Sequence, residues 1–272
     1  MSSDEEEGFA GDLFGEEEET ITQVPSTFET YERDSQLIKD SDLKKLNIRL
    51  VGSHPLWAHH LWNASKIFAS LFDEYPELVK DKTVLELGAG GALPSLVAAT
   101  HQPVKVVITD YPDNELIDNI QYNVDQNLGN KLPTDLVTVQ GYTWGTNTDP
   151  LKALLPKGHT TYDVIILSDL VFNHSQHHAL LRTCYELLTP VTGRVYVFYT
   201  HHRPHLAHRD LEFFDIAQRP VLPNMDPDDR DTYGYGFKTD HFLIRKMKVM
   251  FEEDSGDEQV RSTIHGWQLW LP

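Results

Sequence analysis

The chain has 272 residues, 40% of them hydrophobic, and its 42 Asp and Glu outnumber 23 Lys and Arg to give a formal net charge of -19. That length suits one large domain, and the negative excess repels a phosphate backbone, which excludes nucleic acid as a partner and points to a basic protein or peptide. Apolar runs such as Val104 to Ile108 are far shorter than the roughly 20 residues needed to cross a bilayer, the start Met-Ser-Ser-Asp-Glu-Glu-Glu is not a secretory leader, and the single cysteine, Cys184, can close no internal disulfide, so no membrane and a reducing, cytoplasmic setting are expected.

Residues 1–27 carry Asp4, Glu5, Glu6, Glu7, Asp12 and Glu16 through Glu19 without a Lys or Arg, the composition of a disordered acidic tail. A single domain is expected over 28–272, with 28–80 as an N-terminal extension. Within it, Thr27-Phe-Glu-Thr-Tyr-Glu-Arg and Leu46-Asn-Ile-Arg-Leu-Val alternate in the strand period and predict a small hairpin. Trp57, Leu61, Ala64, Ile67, Phe68 and Leu71 recur at three- and four-residue spacing, which predicts an amphipathic helix ending near Tyr75-Pro76.

From Lys82 onward, strand-length apolar runs alternate with helical segments. Thr83-Val-Leu-Glu-Leu is followed by a helix from Pro94, Val104-Lys-Val-Val-Ile-Thr by a helix from Asn114, then come Leu136-Val-Thr-Val, Asp163-Val-Ile-Ile-Leu, a helix across His177 to Leu188, and Arg194-Val-Tyr-Val-Phe-Tyr. Parallel strands need crossover connections, so this rhythm predicts an α/β fold with a doubly wound, mostly parallel sheet. Asp210 to Gln218 reads as a further helix and Pro220 to Gly236 as a surface loop. The runs Phe242 to Phe251 and Gln259 to Leu271, around the acidic turn from Glu252 to Glu258, predict a closing antiparallel pair.

Chemistry concentrates at one turn. Val84-Leu85-Glu86-Leu87 runs into Gly88-Ala89-Gly90-Gly91, and Leu93-Pro94-Ser95-Leu96 opens a helix behind it. Glycines permit positive φ and close approach of a ligand, and a helix start offers unpaired N–H groups, so a ligand is expected there. Asp110 ends the next strand, where a carboxylate either accepts hydrogen bonds from ribose hydroxyls or caps the turn Tyr111-Pro112. A dinucleotide fingerprint wants glycine where this chain has Leu93, which disfavours a pyrophosphate ligand and a nicotinamide-dinucleotide oxidoreductase. Farther on, Ser168-Asp169-Leu170-Val171-Phe172 falls where a doubly wound sheet opens its crevice. Asp169 reads either as a carboxylate that holds substrate or as the cap of the helix that follows.

The order Glu86-x-Gly88-x-Gly90 resembles the class I methyltransferases that use S-adenosylmethionine (AdoMet). With Asp169-x-x-Phe172 and Trp144 in Gly141-Tyr-Thr-Trp-Gly, the stretch from about residue 50 to 205 resembles the seven-strand lysine methyltransferases of methyltransferase family 16. Narrower still, Gly52-Ser-His-Pro-Leu-Trp-Ala-His-His-Leu-Trp-Asn, Thr109-Asp-Tyr-Pro-Asp and Ile166-Leu-Ser-Asp-Leu-Val-Phe-Asn-His look like the fungal elongation factor methyltransferase 7 family. The resemblance implies a Rossmann-like seven-strand sheet, AdoMet as cofactor with S-adenosyl-L-homocysteine as product, and methylation of the N-terminal glycine and adjacent lysine of translation elongation factor 1-alpha. It sets Trp57, Glu86, Gly88, Ala89, Gly90, Asp110, Trp144 and Ser168 against the cofactor, with Glu86 either ordering the turn or bonding near the cofactor's amino-acid end. Asp169 and Phe172 then face the substrate amine. The stretch from Pro223 to Asp231 and the turn near Glu252 depart from that pattern.

Other readings stay open at this level. Trp57 and Trp144 are by default packing aromatics. A small-molecule N-methyltransferase for a nicotinamide-like amine, and a binding module that keeps the fold without catalysis, are the competing classes of function. His201, His202, His205 and His208, with His177 and His178, invite a metal, but no cysteine or carboxylate joins them at a zinc spacing and Pro204 interrupts the run. No metal is expected, and some of these histidines are expected to line the substrate mouth.

Overall fold

The expected hairpin forms from β1 (Thr27–Glu32) and β2 (Lys45–Leu50), antiparallel with Thr27 opposite Leu50. The computed structural model describes residues 24–272 apart from 39–42, 53, 227–228, 230–231 and 254–255, so the acidic tail expected over 1–27 lies outside the described residues as far as position 23. The helix expected from Trp57 begins later, as α1 (Asn63–Glu74). A turn closed by the Trp57 N–H on the His54 carbonyl (3.0 Å) leaves Trp57 at φ +61, a left-handed conformation that a right-handed helix cannot include.

The alternation after Lys82 resolves into β3 (Thr83–Leu87), α2 (Leu93–Ala99), β4 (Lys105–Asp110), α3 (Asn114–Asn127), β5 (Val137–Gly141), the one-turn α4 (Asp149–Lys152), β6 (Val164–Ser168), α5 (His177–Leu187), β7 (Arg194–Thr200) and α6 (Ala207–Gln218). After them come β8 (Lys238–Lys246), the one-turn α7 (Glu258–Arg261) and β9 (Thr263–Trp270). The sheet runs β5-β4-β3-β6-β7-β9-β8. Its first five strands are parallel, and β9 is antiparallel to both neighbours. This is the doubly wound sheet with a closing antiparallel pair. That pair differs from expectation in its bounds: Lys238 to Asp240 join β8, where a polar edge strand can face water, while Asp257 caps α7 through the Gln259 N–H and coils Gln259 out of β9.

Side chains alternate between two cores, as a pleated strand requires. Val84 and Ile166 meet Phe68, Phe72, Leu96 and Ile120 beneath α1, α2 and α3. Leu85, Leu87 and Ile165 meet Leu181, Leu187 and Phe213 beneath α5 and α6. Phe68 of α1 stacks on Phe198 of β7 with ring centroids 4.0 Å apart.

Two polar networks dock the N-terminal extension. Asn119, Asn123 and Asn127 recur every fourth residue on one face of α3 and meet the edge of β2 that β1 leaves open. Asn127 accepts the Asn47 N–H (2.8 Å) and donates to its carbonyl (2.9 Å), and Asn123 does the same for Arg49 at 2.8 and 2.9 Å. Asn119 adds a bond to the Arg49 carbonyl at 3.0 Å. The three amides replace a missing strand and protect the edge. In the second network, Arg33 grips Asp73 of α1 through Nε (3.0 Å) and Nη2 (2.6 Å), both side chains almost wholly buried. The parallel strands end along one side of the sheet, and the winding reverses between β3 and β6, which opens the crevice there.

Candidate functional site

The glycine turn between β3 and α2 is built from left-handed residues: Gly88 has φ +62, Gly90 +54 and Ala92 +62. A Cβ on Gly88 would lie 2.8 Å from Leu170 and 2.9 Å from Trp144, so glycine is required there by both space and conformation. One on Gly90 would meet nothing closer than the Ala58 Cα, at 3.9 Å, which leaves room for a ligand against the backbone.

The amides of this turn are used internally. Ala89 N–H bonds the Thr109 carbonyl (3.0 Å), Gly90 N–H bonds Asp110 Oδ2 (2.7 Å), and Ser95 N–H in the first turn of α2 bonds Glu86 Oε2 (3.1 Å). The unpaired helix-start donors expected here are therefore partly spent on the chain's own carboxylates. That leaves fewer free amides to hold a pyrophosphate at this turn. Glu86 is fully buried, and burial pushes its carboxyl up to about 8 against the opposing pull of Ser95. Its Oε2 ties β3 to the start of α2 and so orders the turn, while its Oε1 is buried without a partner.

Asp110 shows the capping reading, and both of its carboxylate oxygens are engaged by backbone N–H groups. Oδ1 accepts the Tyr111 N–H (2.7 Å), as a turn cap does, while Oδ2 ties the carboxylate to Gly90 across the crevice. Burial raises its pKa, and the two backbone bonds offset part of the rise. Trp144 is partly buried and leans on Gly88 from the β5 side. Trp57 is not a core aromatic: it is 42% exposed, on the loop that crosses Gly90 at Ala58, with its ring stacked on His59. Ser168 ends β6 with a buried hydroxyl that has no partner.

Asp169 follows in a left-handed conformation, φ +59, and is 4% exposed. It does not cap the next helix, because α5 starts only at His177 with Gln176 in the cap position. Instead, Oδ1 accepts the Thr200 N–H (3.3 Å) and lies 3.0 Å from His202 Nε2, while Oδ2 is buried without a partner. The edge of Trp62 meets the His202 ring at 4.8 Å, and Phe251 and His60 continue this aromatic wall. Phe172 is half-buried and its carbonyl accepts from Arg203 (3.3 Å).

Sequence reasoning missed the pairing of His202 with Asp169. Its only signal was position, just past the end of the strand beside β6. Of the remaining histidines, His201 Nδ1 (2.6 Å) and His174 Nε2 (2.8 Å) share buried Asp210. Burial acts to raise the Asp210 pKa, and these bonds overcome it and hold the carboxyl below the usual range. His177 is pushed down to about 4 by burial, with Nε2 on the Val171 carbonyl. Among the described residues no group of His, Cys, Asp or Glu is arranged to hold a metal, and no helix is long and apolar enough to cross a membrane.

The model of the lysine methyltransferase family matches residues 40–219. The chain belongs to that family. Protein N-terminal and lysine N-methyltransferase EFM7 of Cryptococcus neoformans var. neoformans serotype D is 41% identical over 287 residues, covering 99% of this chain and 91% of that protein. The enzyme of the same name from Eremothecium gossypii is 42% identical, covering 99% and 98%, and that from Schizosaccharomyces pombe is 39% identical, covering 100% and 99%. Among solved structures, a protein described as a SAM-dependent methyltransferase of Streptococcus mutans superimposes with a TM-score of 0.52 at 14% identity, over 83% of this chain and 53% of that one, which shows a shared fold. This lysine methyltransferase family member is an AdoMet-dependent N-methyltransferase. Its crevice fits the cofactor: an open glycine backbone at Gly90, a buried carboxylate at Asp110, and an unpartnered hydroxyl at Ser168 lie at the carboxyl ends of β3, β4 and β6.

Proposed function

We propose that the chain methylates the N-terminal glycine and the adjacent lysine of translation elongation factor 1-alpha, in the cytoplasm. The full-length likeness to enzymes named for N-terminal and lysine methylation supports a protein substrate over a nicotinamide-like one, and the net charge of -19 suits a basic acceptor. The observation that carries the reading is Asp169, a buried carboxylate at the crevice with one oxygen unpartnered.

Bound AdoMet supplies a methyl group made electrophilic by its sulfonium. Asp110 would hold the ribose hydroxyls, Gly88 to Gly90 would let the cofactor lie against the backbone, and Trp57, Trp144 and Ser168 would close around it. Asp169 Oδ2 would accept a hydrogen bond from the substrate amine and orient its lone pair, with the Phe172 ring beside it. Positive charge moves from sulfur to nitrogen in this displacement, so orientation outweighs strong base catalysis. An α-amino group, with a reference pKa of about 7.7–8.0, reaches its neutral form more readily than lysine at about 10.4, so the N-terminal amine is methylated first.

The test is incubation with labelled AdoMet and recombinant elongation factor 1-alpha, followed by mass spectrometry of the N-terminal peptide. Label on its first two residues is the expected result. An unlabelled N-terminal peptide beside labelled nicotinamide would overturn the reading.

A further inference from the structure

We propose that His202 is a positioning residue for the acceptor amine: it fixes the Asp169 carboxylate and sets the pH range in which that carboxylate holds an ammonium group. The proposal rests on the reading of Asp169 given above. Three observations support it. His202 Nε2 lies 3.0 Å from Oδ1, with the two side chains 23% and 3% exposed. Thr200 N–H converges on the same oxygen, so both bonds fall on one side of the carboxylate and Oδ2 is the oxygen left for substrate. The Trp62 ring packs against the imidazole, with centroids 4.8 Å apart and planes at 62°.

With a neutral ring protonated at Nε2, His202 donates to Oδ1 and leaves the carboxylate its full negative charge. Oδ2 then attracts the acceptor's ammonium. The ammonium loses one proton to water, and the nitrogen lone pair forms the N–C bond as the methyl carbon's bond to sulfur breaks, its electrons staying on sulfur. The methylated ammonium that results releases its second proton to water, or keeps it. A second proton on His202 places a cation against Asp169, offsets the carboxylate's charge and weakens its pull on the ammonium. Asp169 faces the imidazole from the end of β6, and Arg203 follows it in the chain. His60 stands one ring away behind Trp62, and the neighbouring His201 is engaged by Asp210.

The experiment uses the full chain, AdoMet and a synthetic peptide that begins Gly-Lys. His202→Leu is expected to raise KM for the peptide by about 10-fold, as loss of one charge-assisted hydrogen bond predicts, with AdoMet affinity by calorimetry unchanged. His202→Gln keeps a donor but does not titrate. It is expected to restore KM at neutral pH and to remove the additional rise in KM that the wild type shows on the acid side; titration of the amine is common to all variants and cancels in that difference. Asp169→Asn separates the two readings. Unchanged kcat/KM in that variant overturns the role of Asp169, whereas its loss, beside a wild-type KM and pH profile in His202→Leu, overturns only that of His202. If His202→Leu does not fold, the imidazole 15N resonances of the wild type decide: Nε2 protonated at neutral pH supports the proposal, and Nε2 bare overturns it.

Discussion

Along the open edge of β2, buried polar groups have partners at 2.8–3.0 Å, with Asn119, Asn123 and Asn127 serving the backbone of Asn47 and Arg49. Arg33 and Asp73 are closed just as fully, with Thr100 and His101 completing the cluster. At the carboxyl ends of β6 and β7 the accounting stays open: the Ser168 hydroxyl and Asp169 Oδ2 are buried without partners, and Asp169 is held in a left-handed conformation. A satisfied network stabilises and fixes an element in place. Unsatisfied polar atoms and local strain lower stability where they sit, and they persist where a ligand supplies what is missing. The first region fixes the extension, and the proposed function places the chemistry in the second.

Arg33→Met would break this contrast most severely. It leaves Asp73 buried with His101 as its remaining side-chain partner and is expected to cost about 3–5 kcal/mol, read from the urea midpoint; a cost under about 1 kcal/mol would show that the extension is held elsewhere. Asp169→Asn should lower kcat/KM roughly 100-fold, about 2.7 kcal/mol of transition-state stabilisation, while thermal stability stays at the wild-type level or rises. A large stability loss with normal turnover would reverse the assignment of the two regions.

Asn123→Leu sharpens the link between them, because Asn123 Nδ2 also bonds the Gly91 carbonyl at 3.1 Å. Stranding the Arg49 N–H and that carbonyl is expected to cost about 2 kcal/mol. It should also accelerate hydrogen exchange at Arg49 and weaken AdoMet binding through the turn; exchange at the wild-type rate would count against the mock strand. Glu86→Gln tests the same turn through its pH dependence. Burial pushes the Glu86 carboxyl up to about 8 in the folded chain, against about 4.5 for an ordinary glutamate, so the unfolded state sheds its proton first. Stability from this group is complete below pH 4.5, falls as pH rises, and levels off above 8. The Gln variant should therefore melt well above wild type at pH 9 and match it at pH 4, and a constant difference across that range would refute the assignment.

Periodicity made most of the fold legible, because β3, β4, β6 and β7 are bounded by turn residues and buried on both faces, a pattern local enough to read along the chain. It failed between Gly52 and Trp62, where apolar residues at helical spacing form a left-handed turn and an aromatic wall. The four-residue spacing of the α3 asparagines is likewise plain in the sequence. That they face a strand edge is not, because β2 lies about 80 positions away in the chain.

The sequence by itself determined the order of elements, the glycine turn, the carboxylates Glu86, Asp110 and Asp169, and the class of chemistry they suit, since each depends on residues within one strand-turn-helix unit. The tertiary structure decided how those carboxylates are used. It turned Glu86 inward to Ser95, joined Asp110 to Gly90, and set Asp169 against Thr200 and His202. The physical reason is that a buried carboxylate acts through the donors brought to it, and here they arrive from the next turn of chain or the next strand of the sheet.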